Sequence, residues 1–199
     1  MNSLSIREIR YDHPDAQRLI AEVQAEYVQR YGGPDAAPID PLEFWPPRGR
    51  FAVGYLGAEP VAMGGWRRHQ DGDPQTSWAA PAVEVKRMYV AAGARGRGYA
   101  RAILAHLEDT ARQDGARWLL LETGSRQPEA VALYLSCGYQ PVPPFGYYAE
   151  RKLAIHLGKD LLSAASQPVT RSQPPARSQP PARSQPAAAD QPRAARPAR

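Results

Sequence analysis

Apolar and polar positions alternate along Leu4–Arg10, "LSIREIR", the period of a half-buried strand. The period then changes. Through "HPDAQRLIAEVQAEYVQRYGG" the residues Leu19, Ile20, Val23, Tyr27 and Val28 recur at helical spacing, and Gly32 and Gly33 stop the run. A connector rich in proline and aromatics, "PDAAPIDPLEFWPPRG", leads into "RFAVGYLGAEPVAMGGWRRH", two apolar strands around turn residues Gly57–Pro60 that predict a hairpin. A polar loop, "QDGDPQTSWAAPA", delivers the β-branched and aromatic strand "VEVKRMYV". Past a hinge of glycine and arginine, Ala100, Ile103, Leu104, Leu107 and Ala111 mark one face of a second helix, which Asp114-Gly115 ends. "RWLLLET" reads as a buried strand, and "PEAVALYLSCG" as a helix with Pro128 in its first turn and Gly138 at its stop. "RKLAIHLG" supplies a last strand. The order is β-α, a hairpin, then β-α-β-α-β. It predicts an α/β (α+β) domain, a central mixed sheet flanked by helices.

From Ser163 the pattern vanishes. The repeat "RSQPPARSQPPARSQP" has no apolar periodicity and a proline every few positions, so 163–199 is expected to be a disordered tail rich in Pro, Arg, Gln and Ser, with 1–162 as the single folded domain. This boundary changes the meaning of the net charge of +5. Six arginines against Asp190 place all of it in the tail, and residues 1–162 balance 19 basic with 19 acidic side chains. The domain therefore offers a polyanion no bulk positive field, and nucleic acid is not an expected partner of it. A basic tail acting on nucleic acid stays open as a rival. The single cysteine, Cys137, excludes an internal disulfide framework. No apolar stretch has signal-peptide or membrane-spanning length, so a cytoplasmic protein without membrane contact is expected. His13, His69, His106 and His156 have no metal-ligand spacing with one another or with Cys137, so no metal is expected.

The hinge "AAGARGRGYARA" joins a strand to a helix, and such a place presents free backbone N–H groups with the helix dipole behind them. Gly96 and Gly98 permit close backbone approach, and Arg95 and Arg97 add positive charge. A phosphate or pyrophosphate fits such a turn; an ordinary tight turn on a helix cap is the alternative. The turn has neither the Gly-Lys-Ser/Thr ending of a P-loop nor the spacing of a dinucleotide fold.

The spacing of Arg95, Gly98 and Ala100 resembles the Arg/Gln-x-x-Gly-x-Gly/Ala signature of the GNAT superfamily of acyl-CoA N-acyltransferases. Further marks fall at matching places from about Leu4 to Leu157. Glu84 lies eleven residues before Arg95, and Gln127, Ala130, Leu133, Tyr134, Gly138 and Tyr139 match a helix that in the family reads Asn-x-x-Ala-x-x-Leu-Tyr and ends in Gly-aromatic. Gln127 replaces the family's Asn and is longer by a methylene. The resemblance implies acetyl-CoA as co-substrate, its pyrophosphate held by the amides of Arg95–Ala100, including Gly96, Arg97, Gly98 and Tyr99, with Gln127 near the coenzyme. It also implies that the backbone of Met88, Tyr89 and Val90 pairs with the pantetheine arm.

The chemistry follows from the acceptor. An alkyl amine of pKa near 10.4 is neutral in only about one molecule in 2,500 at pH 7, a handicap of roughly 4.6 kcal/mol. Glu84 is the expected base, acting through a water after burial has raised its pKa, and the resemblance implies that Tyr134, by its family position, is the acid that protonates the departing thiolate. The bland readings are a surface or hairpin-paired glutamate and a core aromatic. The acceptor wall is expected in "PIDPLEFWPPRGR" and "QPVPPFGYYAERK", from Phe44, Trp45, Tyr147 and Tyr148, although these rings could equally pack into the core. The second segment resembles the Pro-Pro-aromatic-Gly-x-Tyr closure of a bacterial subgroup acting on small molecules. The expected substrate is thus a primary amine of a small molecule or amino acid, attacked directly in a ternary complex. Protein N-acetylation and non-catalytic acyl-CoA binding are the other readings, and a homodimer is compatible with all of them.

Overall fold

The computed structural model describes residues 3–68 and 81–162. The expected polar loop lies largely, and the expected tail wholly, outside the described residues.

Strand β1 (Ser5–Glu8) leads to helix α1 (Pro14–Tyr31), whose start is set by chemistry the sequence carries. His13 accepts the Asp15 N–H through Nδ1 at 3.2 Å, Pro14 occupies the first turn, and Gly32, at φ 84°, closes the helix by donating its N–H to the Val28 carbonyl at 2.9 Å. Ala16, Leu19, Ile20 and Val23 are buried. Val28 is instead 48% exposed, because it stands about 140° around the helix from Val23.

The hairpin is β2 (Gly49–Leu56) and β3 (Glu59–Arg68), followed by β4 (Ala82–Val90), α2 (Tyr99–Gln113), β5 (Trp118–Gly124), α3 (Pro128–Ser136), the two-residue β6 (Gln140–Pro141) and β7 (Ala154–Asp160). Among the described residues the sheet has seven strands in the order β1-β2-β3-β4-β5-β7-β6. Only β4 and β5 pair parallel, as a strand-helix-strand connection through α2 requires. The order of elements agrees with the pattern of the sequence; β6 is an addition, too short to leave a periodic signal.

Each sheet face has its own core. On one side α2 and α3 cover Trp66, Val85, Leu119 and Leu121 with Ile103, Leu104, Leu107 and Tyr134; on the other, α1 covers Phe51, Val53 and Met63 with Leu19, Ile20 and Val23. Gly64 sets how closely α2 can approach, since a Cβ there would stand 2.6 Å from Met88 Sδ, 3.0 Å from Ile103 and 3.1 Å from Leu107. Buried Trp66 donates its indole N–H to Thr110 Oγ1 at 2.9 Å, so even the largest core ring has its polar atom satisfied.

Two irregularities in β4 shape the site. Its parallel ladder to β5 stops at Val85↔Leu121 although both strands continue, so the sheet opens into a cleft at its centre. Just past that point, Lys86 pairs with Gly65 and Tyr89 with Met63: three steps along β4 against two along β3, a bulge centred on Arg87 and Met88. Arg87 absorbs the extra residue at φ 59°. The bulge turns Arg87 and Tyr89 toward α1 while Met88 packs toward α2.

Candidate active site

The cleft contains a cavity of about 490 Å3, walled by Val85, Lys86 and Arg87 of β4, Glu122, Thr123 and Gly124 of β5, Gln127 and Tyr134 of α3, Tyr27 and Tyr31 of α1, and loop residues that include Asp35 and Tyr148. A volume of this size suits a small organic molecule.

The hinge expected to bind an anion is the turn before α2. Gly96 and Gly98 adopt φ 76° and 81°, and a Cβ at either would meet nothing within 4 Å, so the backbone there is open to an approaching group. Gly98 caps α2 without a side-chain hydrogen bond, leaving first-turn amides of Tyr99, Ala100 and Arg101 available to a ligand. These features fit a coenzyme A pyrophosphate. Arg97 is exposed and Tyr99 packs partly against the core. Arg95 is tied down: its Nε donates to the Val90 carbonyl at 2.9 Å, its guanidinium pairs with Glu26 and it lies 5.5 Å over the Tyr89 ring. It braces the end of β4. Burial, then Glu22, pushes the Tyr89 hydroxyl up to about 12.

Gln127, the N-cap of α3, and Tyr134, about two turns further along it, both line the cavity. The Gln127 side-chain oxygen stands 3.4 Å from the Tyr31 hydroxyl and 3.5 Å from Thr123 Oγ1. Tyr134 is buried, packs edge-on against Tyr139 at 5.7 Å, and burial raises its hydroxyl above the usual phenol range, so it carries its proton at neutral pH.

Glu84 occupies a different place. It is 4% exposed, forms an ion pair with Lys86 Nζ at 2.6 Å, accepts from Arg67 Nε at 3.2 Å, and lies outside the cavity lining. Arg67 is shared with Glu43 at 2.6 Å. The proposed acceptor rings also separate. Tyr148 is in the wall, while Phe44 is fully buried in the α1 core, stacked on Tyr11 at 5.0 Å. Trp45 is 43% exposed beneath Arg10, and Tyr147 is 56% exposed against Tyr148; neither lines the cavity. Phe44 follows the core alternative because Pro41–Phe44 forms a short 3-10 turn that drives it inward.

Several cavity residues had no motif to announce them. Arg87 and Asp35 form a buried ion pair, and the Tyr148 hydroxyl donates to the same carboxylate at 2.7 Å. Desolvation would raise Asp35, but Arg87 and the Tyr148 hydroxyl outweigh it and hold it below the usual carboxylate range. Glu122, the charged end of the apolar run "LLLE", faces Lys86 across the cleft, with His156, its pairing partner on β7, on its other side. The available sequence signal was a charge inside an otherwise apolar strand. Among the described residues no group of three or more His, Cys, Asp or Glu side chains is arranged to hold a metal. No described helix is long and apolar enough to cross a membrane.

A sequence model of the Acetyltransferase (GNAT) family matches residues 17–139. The chain belongs to the GNAT acetyltransferase family. Acetyl-CoA is the co-substrate that family uses. An IAA acetyltransferase of Azospirillum brasilense is 44% identical over 78 residues, which cover 39% of this chain and 51% of that protein; the match spans about half the relative's length. An acyl-CoA N-acyltransferase assigned in Klebsiella pneumoniae has the same GNAT fold at a TM-score of 0.64, with 26% identity over 81% of this chain and 99% of its own. YncA of Salmonella typhimurium, solved with its cofactor acetyl-CoA, shares the fold at a TM-score of 0.55 and 19% identity, over 80% of this chain and 95% of its own. The GNAT match covers β4, the glycine turn and α3, the elements that carry the motif residues.

Proposed function

We propose that this GNAT protein transfers the acetyl group of acetyl-CoA to a primary amine of a small molecule or amino acid, by direct attack in a ternary complex. The observation that carries the reading is the cavity at the β4/β5 split, with the Tyr134 side chain in its wall and the glycine turn at the adjacent end of β4. Its size matches a small acceptor better than the long open groove a peptide needs.

Each residue has a part in this reading. Amides of the 95–100 turn hold the pyrophosphate, and the β4 edge freed beyond Val85 offers the backbone of Met88, Tyr89 and Val90 to the pantetheine arm. Gln127 lies at the mouth of the same cleft and contacts the coenzyme. Acetyl-CoA supplies the acyl group as a thioester. Tyr134, kept protonated by burial, gives its proton to the leaving sulfur. Glu84 anchors Lys86 in the wall through the 2.6 Å ion pair. Tyr148, fixed by Asp35, gives the acceptor site its aromatic side.

The test is thermal unfolding with and without acetyl-CoA, for the wild type and Gly98→Glu, followed by an acceptor screen that includes alkyl and arylalkyl amines, amino acids and short peptides. Binding to the native state alone stabilises by roughly 2.7 kcal/mol at a hundredfold excess over Kd. A shift present in the wild type, lost in the variant, and turnover of small amines in preference to peptides are expected. An unshifted wild type sinks the transferase reading, and preference for peptides sinks the small-molecule one.

A further inference from the structure

The charges in the cavity wall do not balance. Its charged lining residues are Asp35, Lys86, Arg87, Glu122 and Arg151. Arg87 is paired with Asp35, and Lys86 stands between Glu84 at 2.6 Å and Glu122 at 3.8 Å. Among the described residues the Arg151 side chain has neither an ion pair nor a hydrogen bond, and it is exposed, whereas the other four are buried or half-buried. Glu150, its neighbour in the chain, lies outside the cavity lining and forms no ion pair with it. The cavity therefore carries one unmatched positive charge at its mouth. A guanidinium is planar, always charged, and presents paired N–H donors that match the two oxygens of a carboxylate.

The backbone of Arg151 is fixed from both sides. Its N–H donates to the Tyr148 carbonyl at 2.9 Å, its own carbonyl accepts the Ala154 N–H at 2.9 Å where β7 begins, and the Tyr148 hydroxyl is tied to Asp35 at 2.7 Å. The uncharged part of the wall includes the rings of Tyr27, Tyr31 and Tyr148 and the side chain of Leu153. Gly124 lets Tyr31 close onto β5, since a Cβ there would collide with the Tyr31 hydroxyl. Resting on the amine-transfer reading above, we infer that the acceptor carries a carboxylate beside its amine and that Arg151 binds this carboxylate. The substrate class is then a free amino acid with an apolar or aromatic side chain. The tyrosine rings receive the side chain, Arg151 receives the carboxylate, and Arg151 takes no part in the bond changes.

This assignment separates three kinds of acceptor. A plain alkyl amine leaves the guanidinium without a counter-charge, and so does the first residue of a peptide, whose carboxyl group is bound up in the chain. A free amino acid satisfies it. Hydrogen bonds to charged groups are the stronger ones, so an acid should be favoured over its uncharged counterpart by roughly 10- to 100-fold. Arg151 is exposed, so the preference should shrink as salt is raised. The carboxylate is not a reacting group, and its contact is the same before and during acyl transfer. Its effect therefore falls on KM more than on kcat.

The experiment measures acetylation by the full chain with matched sets of acceptors: a free amino acid, its carboxamide and its decarboxylated amine. Phenylalanine, phenylalaninamide and phenethylamine are one set; leucine, leucinamide and 3-methylbutylamine are another. The wild type is compared with Arg151→Gln and Arg151→Lys for kcat, KM, Tm and the Tm shift with acetyl-CoA. In the wild type the acid of a set is expected to be its best acceptor. In Arg151→Gln the ratio of kcat/KM for acid over amine should fall by roughly 10- to 100-fold, mostly through KM, with Tm and the acetyl-CoA shift kept. Comparing this ratio between proteins cancels the differing basicities of the three nitrogens. Arg151→Lys keeps the charge and loses the paired donors, so it should recover part of the ratio. A wild type that prefers the amide or the amine overturns the assignment, as does a ratio unchanged in Arg151→Gln. Loss of the acetyl-CoA shift in that variant overturns it too, by placing the guanidinium on the coenzyme. Turnover of amines without preference for acids sinks this assignment and leaves the transfer reading standing. A wild type that acetylates none of the acceptors fails at the transfer reading itself and takes this assignment with it.

Discussion

The acid role proposed for Tyr134 rests on where α3 puts it. A phenol needs its proton to act as a donor at neutral pH, and burial among Tyr27, Tyr139 and the sheet makes that secure. Tyr134→Phe keeps the ring and its packing and removes only the hydroxyl. It is expected to cost on the order of 100-fold or more in kcat, with Tm within a few degrees of the wild type and an unchanged acetyl-CoA shift. Equal loss of the shift would make Tyr134 a wall of the coenzyme site and no acid. Its place in the cavity wall was legible in the sequence because the helix around it carries a spaced motif. Glu122 in the cavity wall was not, because nothing within a strand tells which of several charged positions will face a cleft. That depends on where the β4/β5 ladder ends, which only the folded sheet reveals.

Elements were legible wherever a period of 2 or 3.6 ran for several residues, which covers three helices and six of the strands. What could not be read was how strands depart from regularity. The bulge at Arg87 and the early end of the β4/β5 ladder make the cleft, and both arise from pairing partners distant in the chain. Gly64 shows the same dependence. It reads as an interruption in an apolar strand, and its reason is the approach of α2, with Met88 Sδ, Ile103 and Leu107 all within 3.1 Å of where a Cβ would stand. Gly64→Val is therefore expected to push α2 from the sheet and to destabilise by about 1–3 kcal/mol, read as a lower Tm and urea midpoint. An unchanged midpoint would mean that Met88 alone gives way. The contrasting change is Leu107→Ala, which empties a fully buried position on the facing helix and should cost about 2–5 kcal/mol.

At the scale of the whole molecule, the site is held by a junction of three segments far apart in sequence: Asp35 from the loop after α1, Arg87 from the β4 bulge and Tyr148 from the loop before β7. Asp35 also accepts the Ala37 N–H at 3.0 Å, so one carboxylate ties its own loop to both others. Desolvation opposes its charge, yet Arg87 and Tyr148 lower its pKa below the ordinary 3.8. A carboxyl with a depressed native pKa contributes stability that is present above the unfolded value and is lost as pH falls through the native one. Asp35 should therefore help stability at neutral pH and contribute to its decline below about pH 4. Asp35→Asn is expected to lower the urea midpoint at pH 7 and to flatten its dependence on pH between about 5 and 2. Because the pair is buried, added salt should move the wild-type midpoint less than it would for an exposed pair such as Arg10–Asp12. The same variant frees Arg87 in the cavity wall and releases Tyr148, so its KM for the acceptor should rise more than its kcat falls. Parallel pH profiles for wild type and variant would show instead that the junction is neutral to stability, and that its charges serve the site alone.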